Sequence, residues 1–90
     1  MKEISGKVFI VSGAAGGIGQ ELVNRLSQSG AIVVATDVDE IALQKVSTMT
    51  RVQTIACDVR ENADWENVFH RAAALGPVYA LINAVGVLKP

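Results

Sequence analysis

Cysteine is almost missing from this chain: among 90 residues, Cys57 alone carries a thiol. One cysteine excludes an internal disulfide framework and suits a reducing interior, so the expected compartment is the cytoplasm. Neither sign of charge is in excess. Eight basic and nine acidic side chains leave a formal net charge of −1, which argues against nucleic acid or another polyanion as a partner. No apolar run approaches the roughly 20 residues of a membrane-spanning helix, so no membrane partner is expected. The opening MKEISGKVFIVSG starts with charge, but glycines interrupt its apolar stretch and a helical pattern follows. It therefore reads as a first strand and not as a signal peptide. With a single histidine, His70, and a single cysteine there is no cluster of metal-ligand spacing. Internal repeats and low-complexity linkers are lacking too, so residues 1–90 are expected to form one domain at most.

What the chain does contain is hydrophobic residues, half of the total, in two alternating periods. Lys7–Ser12 (KVFIVS) is β-branched and apolar on both alternations, which predicts a strand covered on both faces. From Ile18 the period changes. Ile18, Leu22 and Leu26, flanked by Val23, recur every four residues as a helix stripe, and Gly30 stands where the helix ends in a left-handed turn. Ala31–Thr36 (AIVVAT) reads as a second buried strand. Asp39 caps a short helix carrying Ile41, Leu43 and Val46, and Val52–Cys57 (VQTIAC) is a third, weaker strand. Asn62 caps the next helix, with Asp64 and Glu66 in its first turn and a stripe of Trp65, Val68, Phe69 and Ala72. Gly76-Pro77 stops it, and Val78–Asn83 (VYALIN) is a fourth strand. The order β-α-β-α-β-α-β predicts an α/β fold. Strands joined through helices should be parallel, with right-handed crossovers, and form the first half of a doubly wound sheet.

Between the first strand and first helix the chain reads VSGAAGGIGQ. Gly13 ends the strand in a tight turn, Gly17 lets backbone approach a ligand, and Gly19 lets the helix pack close to the strand. The helix amino terminus then offers unpaired N–H groups and a positive partial charge, which suit a pyrophosphate. A glycine-rich turn with no ligand is the plainer alternative, since a lone glycine motif is weak.

The spacing Gly13-x-x-Gly16-Gly17-x-Gly19, preceded by Ser12, resembles the T-G-x-x-x-G-x-G loop of the short-chain dehydrogenase/reductase family, with serine in place of threonine. Gly16 also makes it fit the G-x-x-G-x-x-G of extended, epimerase-like members. Asp37 follows the second strand, where a carboxylate can accept from an adenosine ribose and repel a 2′-phosphate. Neither Val38 nor Ala15 supplies the basic side chain that NADP-preferring relatives commonly place nearby, so NAD is the expected cofactor and NADP the lesser alternative. Asp58-Val59 matches the family's Asp-Val, which implies that the carboxylate accepts from the adenine amino group while Val59 gives backbone and apolar contact. Asn83-Ala84-Val85-Gly86 is similar to the family's N-N-A-G; the first asparagine and the glycine match, whereas Ala84 and Val85 depart. That version looks like the one in dihydrodiol and dihydroxybenzoate dehydrogenases of the family. These last two segments favour the short form. The resemblance thus implies a Rossmann-like three-layer parallel sheet of strand order 3-2-1-4, truncated relative to a full doubly wound domain. The candidate cofactor-binding residues are Ser12, Gly13, Ala15, Gly16, Gly17, Ile18, Gly19, Asp37, Val38, Asp58, Val59, Asn83, Ala84 and Gly86.

The family's chemistry is hydride transfer between nicotinamide and an alcohol or carbonyl. It uses a tyrosine, a lysine four residues later and a serine, all of which the resemblance places beyond Pro90. Tyr79, the single tyrosine, is followed four positions on by Asn83 and sits at the wrong end of its strand for the ligand crevice. Cys57 reads as a small buried hydrophobe. No catalytic residue is therefore assigned, and the chain by itself is expected to be inactive. Two other readings stay open: a non-catalytic NAD-binding module, complete as written or completed by a partner chain, and a Rossmann binder of S-adenosylmethionine, whose loop is usually G-x-G-x-G. Beyond the dinucleotide, the expected partner is another copy of the chain or a missing carboxyl-terminal half, because the fourth strand would be an exposed edge and the last helix would cover one face alone.

Overall fold

The computed structural model describes residues 2–84. The elements alternate as the periodicity predicts: β1 (Val8–Ser12), α1 (Gly17–Gln28), β2 (Ile32–Asp37), α2 (Glu40–Ser47), β3 (Val52–Ala56), α3 (Asn62–Ala73) and β4 (Val78–Asn83). One parallel sheet in the order β3-β2-β1-β4 holds all four strands. The strand reading of the amino terminus applies only from Val8, because Lys2–Ile4 forms a 3-10 turn.

The side chains of β1 alternate between two cores. Phe9 and Val11 join Val33 and Ala35 of β2 beneath α1 and α2, with Val23, Leu26, Leu43 and Val46 closing that layer. Val8 and Ile10 join Val34 and Ile55 on the other face, where Val68 and Ala72 of α3 cover them. Three layers result, with two helices on one face and one on the other. All five residues of β1 are buried, as expected of a central parallel strand covered twice.

The helix faces differ from the simple stripe in three places. On α1 the buried residues are Gly19, Val23, Leu26 and Ser27, while Ile18 is 49% exposed. The helix turns Gly19 toward the Gly13–Ala14 loop, and Ile18 is thereby left exposed. On α2 Leu43 and Val46 are buried, but Ile41 stands outside because two residues on a helix subtend about 200° from Leu43. On α3 Phe69 is 41% exposed, its ring 5.8 Å from that of Trp65.

The caps also divide. The Asp39 carboxylate accepts from the Ala42 N–H at 3.0 Å, as expected. Asn62 is not a cap: Glu61 holds that position without a side-chain bond, Asn62 is the first helical residue, and Glu66 falls past the first turn, leaving Asp64 as its acidic member. The Asp64 side chain instead turns back to accept from the Asp58 N–H at 2.9 Å. Gly30 has φ of +91°, the left-handed conformation predicted at the end of α1.

Candidate functional site

Parallel strands bring their carboxyl ends to one side. Ser12 pairs with Thr36 and with Asn83, and Asp37 pairs with Ala56, so the residues that follow each strand gather along one rim. A crevice of about 380 Å³ opens there, lined by Gly13, Gly16, Asp37, Val38, Asp58 and Val59 together with Cys57, Arg60 and Ala84.

The glycine loop forms the first wall. Gly13 has φ of +74°, a conformation costly to a residue with a Cβ, and accepts from the Gly16 N–H at 3.2 Å to close the turn. A Cβ on Gly19 would overlap the Gly13 carbonyl and come within 2.8 Å of the Ala14 Cα, so close packing of the helix on the loop requires glycine there. Gly17 has the opposite surroundings, with nothing within 4 Å of an added Cβ. Gly16 occupies the N-cap of α1 and no side chain caps the helix. The first-turn amides are thus left for an external acceptor, which is the condition for an anion site at a helix amino terminus.

Asp37 ties the loop to the second strand. One carboxylate oxygen accepts from the Ala15 N–H and the other from the Asp39 N–H, each at 3.0 Å. Each oxygen keeps a second acceptor site. A carboxylate fixed in this way stands ready beside the loop, without having to reorganise, for hydroxyl donors. Val38, next to it, is 69% exposed.

The third corner is built by side chains. Arg60 forks onto Asp58, with Nε 3.0 Å from Oδ1 and Nη2 2.8 Å from Oδ2, while the Arg60 N–H also reaches Oδ1 at 3.0 Å. Hydrogen bonds from Arg60, more than its charge, hold the Asp58 carboxyl down at about 2, so it is ionised at neutral pH. Trp65 Nε1 donates to the Val59 carbonyl at 2.9 Å and pins the corner to α3. Cys57 is buried as expected, at the crevice floor. Burial, reinforced by the negative charges of Asp64 and Asp58, pushes its thiol pKa up, so it is a poor nucleophile.

Of the remaining sequence candidates, those among the described residues are not on the crevice lining. Ser12 is fully buried, and its hydroxyl donates to Asn83 Oδ1 at 3.0 Å while its carbonyl accepts from the Ala84 N–H at 2.9 Å. It fastens β1 to the end of β4. Ala15 contributes its N–H to Asp37, Gly17 and Ile18 are exposed at the start of α1, and Gly19 is buried beneath the loop. Gly86 lies outside the described residues. Sequence reasoning missed Arg60, although the Asp-x-Arg spacing, which lets a backbone N–H and a guanidinium meet one carboxylate, was a signal for it. Tyr79 is an edge aromatic at the far end of β4, its ring centre 5.3 Å from that of Phe9 and tilted 55° to it, with Lys7 Nζ 4.5 Å from its ring centre. Among the described residues no acidic, histidine or cysteine group could hold a metal, and no helix is long and apolar enough to cross a membrane.

Comparisons with known proteins agree with this fold. Residues 7–90 match the family model described as short chain dehydrogenase. The chain is 33% identical to 2,3-dihydro-2,3-dihydroxybenzoate dehydrogenase of Bacillus subtilis (strain 168), over 99% of its own length and 36% of that protein's. It is 36% identical to 3-beta-hydroxysteroid dehydrogenase of Comamonas testosteroni, covering 97% of the chain and 35% of the relative. Among solved structures, a short chain dehydrogenase/reductase from Burkholderia phymatum in complex with NAD superposes with a TM-score of 0.81 at 30% identity, over 90% of this chain and 31% of that one. A 3-ketoacyl-(acyl-carrier-protein) reductase from Brucella melitensis complexed with NADH gives 0.80 at 28% identity, over 87% and 33%. The chain thus spans about a third of the length of these relatives.

Proposed function

This chain belongs to the short-chain dehydrogenase family, and from that membership we propose that residues 1–90 form the NAD-binding part of an oxidoreductase acting on an alcohol or carbonyl substrate. The observation that carries the proposal is the convergence of three loop ends on one crevice, each offering what a different part of the dinucleotide needs. The uncapped amides of α1 suit the diphosphate, Asp37 the adenosine ribose, and Asp58 with Val59 the adenine. Similarity to proteins solved with NAD and NADH supports the same cofactor. Bound there, NAD would supply the hydride acceptor and NADH the donor. The residues of this chain bind and orient; a serine with a Tyr-x-x-x-Lys set would have to come from outside residues 1–90.

Asp37 argues for NAD over NADP. A 2′-phosphate would stand against its carboxylate, and the amides of Ala15 and Asp39 hold that carboxylate in place. Titration of the chain with NADH and NADPH, followed by energy transfer from Trp65, should show tighter binding of NADH, and Asp37→Ala should narrow the difference. Tighter binding of NADPH by the unaltered chain would overturn the assignment. A second reading is a non-catalytic NAD-binding module, which needs only the crevice residues of this chain. Sequencing the transcript past Pro90 separates the two: the Ser and Tyr-x-x-x-Lys set supports the enzyme, a stop codon the module.

A further inference from the structure

We infer that Arg60 is an adenine-stacking residue, its guanidinium set in place by Asp58 before the nucleotide arrives. This rests on the dinucleotide reading of the crevice and adds to it a residue that neither the glycine loop nor Asp37 implies.

Arg60 is the one cationic side chain among the described residues that line the crevice. One of its hydrogen-bonding edges, Nε with Nη2, is already committed. Nε and Nη2 grip the two Asp58 oxygens in a fork, which draws guanidinium and carboxylate toward a common plane. The face of a guanidinium held by its edge remains open to a ligand, and here the side chain is 83% exposed among the described residues. A planar, weakly hydrated cation with an open face binds a flat π-system by stacking. The same crevice presents Val38 at 69% and Val59 at 39% exposure, two apolar side chains that a flat ring would cover. Arg60 takes three of the roughly four acceptor sites of the Asp58 carboxylate, both on Oδ1 and one on Oδ2, which leaves one on Oδ2. Fixing the guanidinium beforehand also lowers the side-chain entropy lost on binding.

The competing role for a crevice arginine is to recognise a 2′-phosphate. The fork takes the Nε–Nη2 edge and leaves the Nη1 donors, so comparison of NADH with NADPH is what separates the two roles.

The test uses the full chain, with NADH, NADPH, AMP and nicotinamide mononucleotide as probes, in wild-type, Arg60→Ala and Arg60→Lys forms. Arg60→Ala should weaken NADH, NADPH and AMP by a common factor of about 3 to 30 and leave nicotinamide mononucleotide unchanged. Arg60→Lys keeps the charge but loses the plane and the fork, and should not restore the affinity. In the wild type, AMP should move the Arg60 side-chain proton resonances upfield through the ring current of the base, and nicotinamide mononucleotide should not. Because Arg60 is exposed, unchanged circular dichroism is expected of both variants. Equal affinities in wild type and Arg60→Ala, full recovery with lysine, a loss confined to NADPH, or tighter binding by the alanine variant would each overturn the inference while leaving the dinucleotide site standing. A wild-type chain that binds neither NADH nor AMP would overturn both.

Discussion

β1 and β4 are neighbours in the sheet and similar in composition, VFIVS beside VYALIN, yet their surroundings are opposite. Every residue of β1 is buried. In β4 no residue reaches full burial, and Val78, Tyr79 and Leu81 are 36%, 57% and 45% exposed. Apolar, β-branched sequence specifies that a segment will be extended. It does not specify that the segment will be covered, which depends on what lies beside and above it. β1 has a strand on either side and helices on both faces; β4 has β1 on one side and no strand on the other among the described residues. Even the pairing is looser, since the register shifts between Val8 and Phe9 and sets Tyr79 outside the ladder.

The largest effect expected from this contrast comes from shortening one side chain in each strand. Ile10 is wholly buried beneath α3, and Ile10→Ala should cost about 2–5 kcal/mol through lost burial and the cavity left behind. Leu81→Ala, in the neighbouring register position, should cost under about 1 kcal/mol, because part of its surface is already in water. Urea unfolding of both variants measures the difference, and equal losses would show that β4 is buried as deeply as β1.

A smaller effect separates two glycines at the exit of β1. Gly19→Ala forces a methyl onto the Gly13 carbonyl and against Ala14, and should destabilise by about 1–3 kcal/mol. Gly17→Ala meets open space and should leave stability within about 1 kcal/mol, while weakening NADH binding if the cofactor backbone approaches there. The pair separates a glycine needed for packing from one that leaves room for a ligand. Equal unfolding midpoints for the two variants would remove that distinction.

Much of this was legible in the chain before folding. The alternation of periods gave the element order, and the positions following each strand named most of the crevice lining, because a parallel sheet brings those positions together whatever the helices do. Helix faces were read less well. Ile18 fits a four-residue stripe with Leu22 and Leu26, but the helix rotates to set Gly19 against the loop, and no hydrophobicity scale favours glycine as the point of closest contact. Asn62 is a good capping residue by type, yet the corner before α3 is governed by Asp64 reaching back to Asp58. Arg60 escaped notice for a related reason: its role depends on a hydrogen-bonded turn, and residue type alone points to a solvated charge.

The smallest change in stability should come from altering the exposed face of β4 itself. Leu81→Lys places a charge where the side chain is already half in water, so unfolding free energy should move by no more than about 0.5 kcal/mol. Its effect should appear in association instead. An edge strand with no outer strand beside it among the described residues, carrying exposed Val78, Tyr79 and Leu81, offers apolar surface to another strand, and lysine is a residue that blocks such pairing. Sedimentation velocity of residues 1–90 should therefore show concentration-dependent self-association, reduced by Leu81→Lys and unaffected by Gln53→Lys on the opposite edge strand, whose exposed face is already polar. A monomer that unfolds in one sharp transition at every concentration would mean that one neighbour is enough for β4, and that the contrast with β1 lies in exposure without any consequence for assembly.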